Sequence, residues 1–283
     1  MRLIYLNGNY VTENDAKVSV FDRGLLFSDA VYEVISVIGG CLIDMERHEQ
    51  RLMRSLGELS INADEGWSAI CLGLVSRNAL DEGLVYLQIS RGAVPERDYR
   101  WPSADIKSTV FAFTQERALI DNPMAERGMR IVTRPDMRWG RCDIKTTQLL
   151  YASLMKMEAR DAGADDAWMT RDAMVTEGTS QNAHIITKDG VLISHQLDHR
   201  VLPGVTRIEL FERAGAQGLS IQERAFSVAE AYDAAEAFVS SSTLLIMPVV
   251  SIDGHMIGDG KPGGITEQLR RSYISEVQRT AAS

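Results

Sequence analysis

Cysteine is scarce in this chain: Cys41, Cys71 and Cys142 stand far apart among 283 residues, with no C-x-x-C spacing. Neither a disulfide framework nor a cysteine-bound metal is expected, and the thiols read as reduced ones in a cytoplasmic protein. Positive charge is also in deficit, with 30 Lys and Arg against 39 Asp and Glu and a net charge of -9. A nucleic-acid backbone needs clustered cations to displace its counterions, so nucleic acid is not an expected partner. Long apolar runs are missing as well. The longest uncharged stretch, 237–252, is broken by serines and a threonine and falls short of the ~20 apolar residues a membrane span needs. The opening "MRLIYLNGNY" lacks the apolar core of a secretion signal, so neither export nor a membrane is expected. What is present is an ordinary globular balance, 45% apolar and 24% charged, at a length that favours two domains.

"RLIYLNG" and "NYVTE" read as a hairpin turning at Asn7-Gly8, and two more strands flank Gly39-Gly40. Leu52, Leu56 and Leu59 recur at helical spacing, a second helix covers "GWSAICLGLVSRNAL", and "LVYLQISRG" and "STVFAFTQE" return to strand. Residues 1–117 are therefore expected to form a small α+β domain, with helices on a mostly antiparallel sheet. A linker is expected at 118–123, where Asn122-Pro123 punctuates the chain, and a larger domain over 124–283. In that domain "MRIVT" reads as a strand and "TTQLLYASLMKMEARDAG" as a helix, with Leu150, Leu154 and Met157 on one side. Short strands follow, with Asp189-Gly190 as a hairpin turn, then helices around "TRIELFERAGAQG" and "SVAEAYDAA". The strands "AFVSSS" and "VVSIDG" precede a C-terminal helix.

Several chemistries lack their motifs. His48-Glu49 opens like a zinc-protease helix, but its i+4 position is Leu52. "GDGKPGG" at 258–264 has Pro262 where a phosphate-binding loop needs Ser or Thr, and reads as a turn. Neither G-x-S-x-G nor G-x-G-x-x-G occurs. His184, His195, His199 and His255 are isolated, and no metal site is expected.

The remaining motifs are "YEVI" at 32–35, "ERHEQRL" at 46–52, "RWGRCDIK" at 138–145, "TEGTSQN" at 176–182 and "LPGVTR" at 202–207. In order, and along nearly the whole chain, this set resembles the class IV aminotransferases, most closely their D-amino acid transaminase branch. The resemblance implies a two-domain, fold-type IV α+β architecture, with a small N-terminal α+β domain and a larger C-terminal domain built on a mixed, barrel-like sheet with helices. It also implies pyridoxal 5'-phosphate as cofactor and a homodimer as the working form.

Lys145 would then be the lysine that carries the cofactor as a Schiff base and moves the substrate proton. On its own a lysine here reads as a surface residue. Its ordinary pKa near ~10.4 must fall by about three units, roughly 4 kcal/mol, to give a free base near neutrality. A following helix supplies only about 0.3–1 kcal/mol of that. Desolvation and the cofactor's charge must supply the rest. By the same resemblance Glu177 faces the pyridine nitrogen and Arg51 anchors the phosphate, which a guanidinium fork suits. Backbone amides of Val205 and Thr206 at a helix N-terminus complete the phosphate cup, with Gly204 allowing close approach. Ser242, chosen from Ser240, Ser241 and Ser242, adds a hydroxyl, Val201 lies under the ring, and Tyr32 stands on the substrate side.

One loop departs from the branch. An Arg-x-His pair, reaching in from the neighbouring subunit, ordinarily holds the substrate carboxylate. Here 91–102 reads "RGAVPERDYRWP", with Tyr99 where His is expected. Carboxylate binding would lean on Arg97 or shift to Arg100. The expected reaction moves an amino group from a D-amino acid such as D-alanine to a 2-oxo acid such as 2-oxoglutarate. Branched-chain L-amino acid aminotransferase, (R)-amine transaminase and aminodeoxychorismate lyase are the alternatives within the family, and a non-catalytic binding protein is the alternative outside it.

Overall fold

The computed structural model describes residues 2–63, 66–103 and 105–282. Two compact units divide the chain: residues 1–118, 144–148 and 278–283 form the first, and 119–143 and 149–277 the second.

The first unit contains β1 (Leu3–Leu6), β2 (Asn9–Thr12), α1 (Arg23–Phe27), β3 (Ala30–Ile38), β4 (Cys41–Leu42), α2 (Met45–Glu58), α3 (Trp67–Arg77), β5 (Gly83–Ser90) and β6 (Thr109–Glu116). Its strands form one antiparallel sheet, ordered β2-β1-β6-β5-β3-β4. Asn7 and Gly8 both take positive φ, as a two-residue hairpin turn requires. On α2 the buried side chains are His48, Arg51, Leu52, Ser55 and Leu56, the stripe that faces β3. Because side chains alternate along a strand, Glu33 points to that helix and Tyr32 to the opposite face of the sheet.

Residues 144–148, expected within the second domain, fold with the first unit instead. Their backbone pairs with β3: Tyr32 N donates to Lys145 O at 3.0 Å, and Val31 and Thr146 form an isolated bridge. The helix expected from Thr146 begins only at Leu150, so in sequence Lys145 does not adjoin its first turn.

The second unit contains α4 (Met124–Arg127), β7 (Met129–Pro135), α5 (Leu150–Asp161), β8 (Asp166–Arg171), β9 (Met174–Gly178), β10 (Asn182–Ile186), β11 (Leu192–Ser194) and α6 (Val205–Ala216). It continues with β12 (Ile221–Glu223), β13 (Phe226–Ser227), α7 (Val228–Asp233), β14 (Glu236–Ser241), β15 (Leu245–Ile252), β16 (His255–Met256) and most of α8 (Gly264–Ala282). Ten strands make one mixed sheet, ordered β12-β11-β10-β14-β15-β7-β8-β9-β13 with β16 on β15. The short turn 179–181 joins β9 to β10, which lie far apart in that order, so the sheet must curl like a barrel. Thr179 Oγ1 and Gln181 Nε2 fix the turn by donating to the buried Asp166, at 2.6 and 2.7 Å. Trp168, Phe226, Met129, Ile131 and Met247 fill the interior.

Glu236 accepts from Ile265 N, Thr266 N and Thr266 Oγ1, capping the start of α8. Arg270 then donates to the carbonyls of Leu119, Ile120, Leu244 and Ile246, tying α8 to two strand-free segments and β15. Among the described residues no helix is long and apolar enough to cross a membrane.

Candidate active site

In the first unit the pairing with β3 fixes the backbone of Lys145, whose N–H also donates to Ser55 Oγ at 3.3 Å. Its Nζ stands 4.3 Å from the centre of the Tyr32 ring. That ring stacks on Tyr86 at 5.5 Å, and Tyr86 on Phe113 at 5.0 Å, so the amine meets an aromatic wall.

Glu33, only 1% exposed, grips Arg51 with both oxygens: Nε donates to Oε1 at 2.8 Å and Nη2 to Oε2 at 2.6 Å. His48 Nδ1 meets the same Oε2 at 2.7 Å. Burial opposes the Glu33 charge, but Arg51 and His48 outweigh it and hold the carboxyl below its ordinary range. Burial drives the His48 pKa below its ordinary value, and Glu33 offsets this only in part. The carboxylate therefore aligns Arg51 and compensates its charge. Glu33 and His48 escaped the sequence reading, although they lie inside "YEVI" and "ERHEQRL" and His48 is one helical turn from Arg51.

In the second unit Glu177 is the penultimate residue of β9, 4% exposed. Oε1 accepts from Arg138 Nη1 at 2.5 Å, and Oε2 from Asn182 Nδ2 and Leu202 N, both at 3.1 Å. Burial pushes the carboxyl above its ordinary range, and Arg138 restrains the rise. Arg138 forks its other edge onto Asp136, Nε to Oδ1 at 2.9 Å and Nη2 to Oδ2 at 2.8 Å, while Thr176 Oγ1 donates to Oδ2 at 2.9 Å. Burial works against the Arg138 charge, and Glu177 and Asp136 outweigh it, so the guanidinium stays charged. The sequence motifs did not single out Asp136 or Arg138, although Arg138 opens the motif that ends in Lys145.

The helix N-terminus at α6 is capped by Gly204, which has no side chain to satisfy the first amides, and Val205 and Thr206 are buried there. The glycine is required for a reason the sequence did not indicate: a Cβ on Gly204 would run into Asn182 Oδ1. Asn182 needs that space, because Nδ2 reaches both Glu177 and Leu202 O. Val201 is buried beside Leu202. Asn182 pairs in register with Ser240, whose Oγ lies 2.8 Å from His184 Nε2, and Ser241 Oγ accepts from Leu244 N. Ser242 follows on the turn after β14.

Arg97, Tyr99 and Arg100 cluster on the exposed 95–101 part of the 91–102 loop, where Arg97 Nη2 donates to Tyr99 Oη at 3.0 Å. Arg100 is paired with Asp98 at 2.6 Å.

Taken unit by unit, the amine against a tyrosine ring in the first suits an aldehyde; in the second, the helix start without a side-chain cap, beside serines, suits a phosphate, and the buried carboxylate suits a protonated ring nitrogen. Residues 30–252 match the amino-transferase class IV family. The chain is 37% identical to a D-alanine aminotransferase of Staphylococcus aureus, over 98% of this chain and 99% of that protein. It is 34% identical to a D-alanine aminotransferase of Bacillus licheniformis, over the same shares. Its fold is similar to that of the Escherichia coli branched-chain amino acid aminotransferase, with a TM-score of 0.89 and 24% identity over 97% of this chain and 94% of that one. A second branched-chain amino acid aminotransferase, solved with pyridoxamine 5'-phosphate, is also similar, with a TM-score of 0.87 and 24% identity over 96% of this chain and 93% of that one. The chain belongs to the class IV aminotransferases, the fold-type IV transaminases that depend on pyridoxal 5'-phosphate.

Proposed function

We propose that this enzyme takes its amino group from D-amino acids, D-alanine first among them, and passes it to a 2-oxo acid such as 2-oxoglutarate. The full-length similarity to D-alanine aminotransferases is the observation that supports this donor most. When bound, pyridoxal 5'-phosphate supplies an aldehyde to receive the amino group and a ring that draws electrons from the substrate's α-carbon. Lys145 Nζ is the amine that holds the cofactor at rest and takes the proton leaving the substrate α-carbon. Glu177 keeps a proton on the ring nitrogen. Arg51, the α6 amides at Val205 and Thr206, and Ser242 hold the phosphate. Val201 and Tyr32 bound the ring and the substrate, and Arg97 with Tyr99 receives the α-carboxylate. The charge of Arg100 is already matched by Asp98, so it serves the loop.

The working form is a cytoplasmic homodimer, in which the 91–102 loop serves the neighbouring subunit's active site. The test of the donor is direct: purified protein is mixed with D-alanine or L-leucine plus 2-oxoglutarate, and pyruvate or the branched keto acid is followed. Pyruvate formation is expected; turnover of L-leucine alone overturns the assignment. The dimer is tested by reassorting Lys145→Ala with Arg97→Ala subunits. Each variant alone is expected to be nearly inactive. The mixture should recover about one quarter of wild-type activity, because about half of the dimers are mixed and each holds one complete site. No recovery refutes the shared loop.

A further inference from the structure

Of the three arginines on the 91–102 loop, Arg97 alone lacks a carboxylate partner among the described residues. Arg91 holds Asp29, and Arg100 holds Asp98 through Nε and Nη2 at 2.9 and 2.6 Å. Arg97 is nonetheless held in one place. Its Cζ lies 4.8 Å from the centre of the Phe27 ring and 4.8 Å from that of Tyr99, and the two rings are 5.2 Å apart. Nη2 donates to Tyr99 Oη, which leaves the phenolic O–H to donate elsewhere.

The support for this arrangement comes from α1, an element that the sequence reading missed. Asp22 caps it by accepting from Gly24 N at 2.8 Å. Phe27 lies at its end and also carries Arg23 at 4.6 Å. Arg23 is 3% exposed, and its Nη1 donates to Asp98 O at 2.6 Å and Arg100 O at 3.3 Å, the carbonyls on either side of Tyr99. Its Nε holds Asp29 at 2.7 Å, and Asp29 also accepts two bonds from Arg91, at 2.7 and 3.0 Å. Arg91 opens the loop and stacks on Trp101 near its end, at 4.3 Å. The loop is thus clamped at both ends and at its middle by Arg23, Asp29 and Arg91.

We propose that Arg23 and Phe27 are positioning residues that set Arg97 and Tyr99 as one receptor for a substrate α-carboxylate. The receptor offers an uncompensated guanidinium and a neighbouring phenolic donor, so it favours amino acids over amines that lack a carboxylate. The inference rests on the assignment of Arg97 and Tyr99 to the substrate, and Tyr99 replaces histidine here by orienting the arginine rather than by adding charge.

The test uses the cofactor-loaded enzyme and its Phe27→Leu, Phe27→Tyr and Arg23→Lys variants. KM for D-alanine, kcat, the visible absorbance of the bound cofactor, and the calorimetric Kd of propanoate are measured for each. Phe27→Leu and Arg23→Lys are expected to raise KM and the propanoate Kd about ten-fold, the scale of a lost cation–π or charge-assisted contact. The expected kcat stays within about two-fold and the absorbance is unchanged, while Phe27→Tyr keeps its ring and stays near wild type. Unchanged KM and Kd in both weakening variants overturn the proposal. So does loss of the absorbance band in both, or a Phe27→Tyr defect equal to that of Phe27→Leu. A wild-type enzyme that ignores D-alanine yet binds propanoate, more weakly in the variants, rejects the donor assignment and leaves the receptor standing.

Discussion

Replacing Arg138 with methionine removes the cation that bridges two buried carboxylates, Glu177 and Asp136, and leaves Asp136 the longer contact with Arg171 Nε at 3.4 Å. Breaking a buried pair by deleting one partner costs about 3–5 kcal/mol, because the charge left behind stays desolvated. At about 2–4 °C per kcal/mol for a unit of this size, the second unit's melting midpoint should fall by roughly 6–20 °C near neutrality. The pH dependence follows from the carboxyls. Glu177 has a raised pKa in the fold because it is buried, so stability drains as pH climbs from 4.5 through the folded value. Without Arg138, burial is opposed mainly by the bond from Leu202 N, and that window extends upward. Burial also works against the Asp136 charge, but its bonds from Arg138 and Thr176 lower its pKa, so Asp136 contributes stability above 3.8 that is lost as pH falls. Deleting Arg138 removes part of that gain as well. The Asp136 loss is the same at pH 5 and pH 8, both above its window, so Glu177 makes the variant's deficit larger at pH 8 than at pH 5. Thermal melting of the wild type and Arg138→Met at the two pH values, with and without added pyridoxal 5'-phosphate, reads this out. An equal deficit at both, or one that grows on acidification, refutes the shared-cation account.

Gly204→Ala is expected to push Asn182 off Glu177 and Leu202, costing about 1–3 kcal/mol for the buried donor left unpaired. A melting midpoint and cofactor titration equal to wild type would show that the asparagine can yield. Glu33→Gln leaves Arg51 buried without its counter-charge, so weaker cofactor binding is expected in a pyridoxal phosphate titration. Because the Glu33 carboxyl is lowered in the fold, its stabilisation is present above 4.5 and is lost as pH falls through its folded value. The variant should accordingly lose less stability on strong acidification than the wild type, and a parallel acid profile would contradict the pairing. Glu236→Ala strips three donors at the α8 start of their acceptor, with an expected loss of about 1–2 kcal/mol in a denaturant midpoint. No shift would mean that other groups cap the helix.

Local rules made much of the fold legible. Asn7-Gly8 and Gly39-Gly40 took the positive φ values that tight hairpins demand, and Leu52 and Leu56 are buried at their expected helical spacing. Apolar periodicity misjudges α5, since a stripe shows that a helix has an apolar side without showing which side the fold covers. Leu150, Leu154 and Met157 are 86%, 51% and 42% exposed. Ala152, Met155 and Ala159 are buried instead, because small side chains let α5 approach Ala167 of β8 closely. Among the candidate site residues, motif resemblance names those proposed for direct contact with cofactor or substrate. It missed Glu33, Asp136, Arg138 and Asn182, which act by holding other side chains, and whose partners are distant in sequence. Arg23 and Phe27 were missed for a further reason: a five-residue helix is too short to display any period.

Lys145 lies inside the sequence span of the second unit yet folds with the first, on a segment of five residues entered and left through covalent links to the other unit. For protein engineering this makes the two units poor modules. A fragment ending at 118 lacks the lysine and the backbone that pairs along Ala30, Val31 and Tyr32, and a fragment from 119 onward carries the lysine without the strand that seats it. Exchange of either unit between related enzymes therefore has to carry residues 144–148 with the β3 they were selected against, or the chimera inherits a lysine aimed by a mismatched strand.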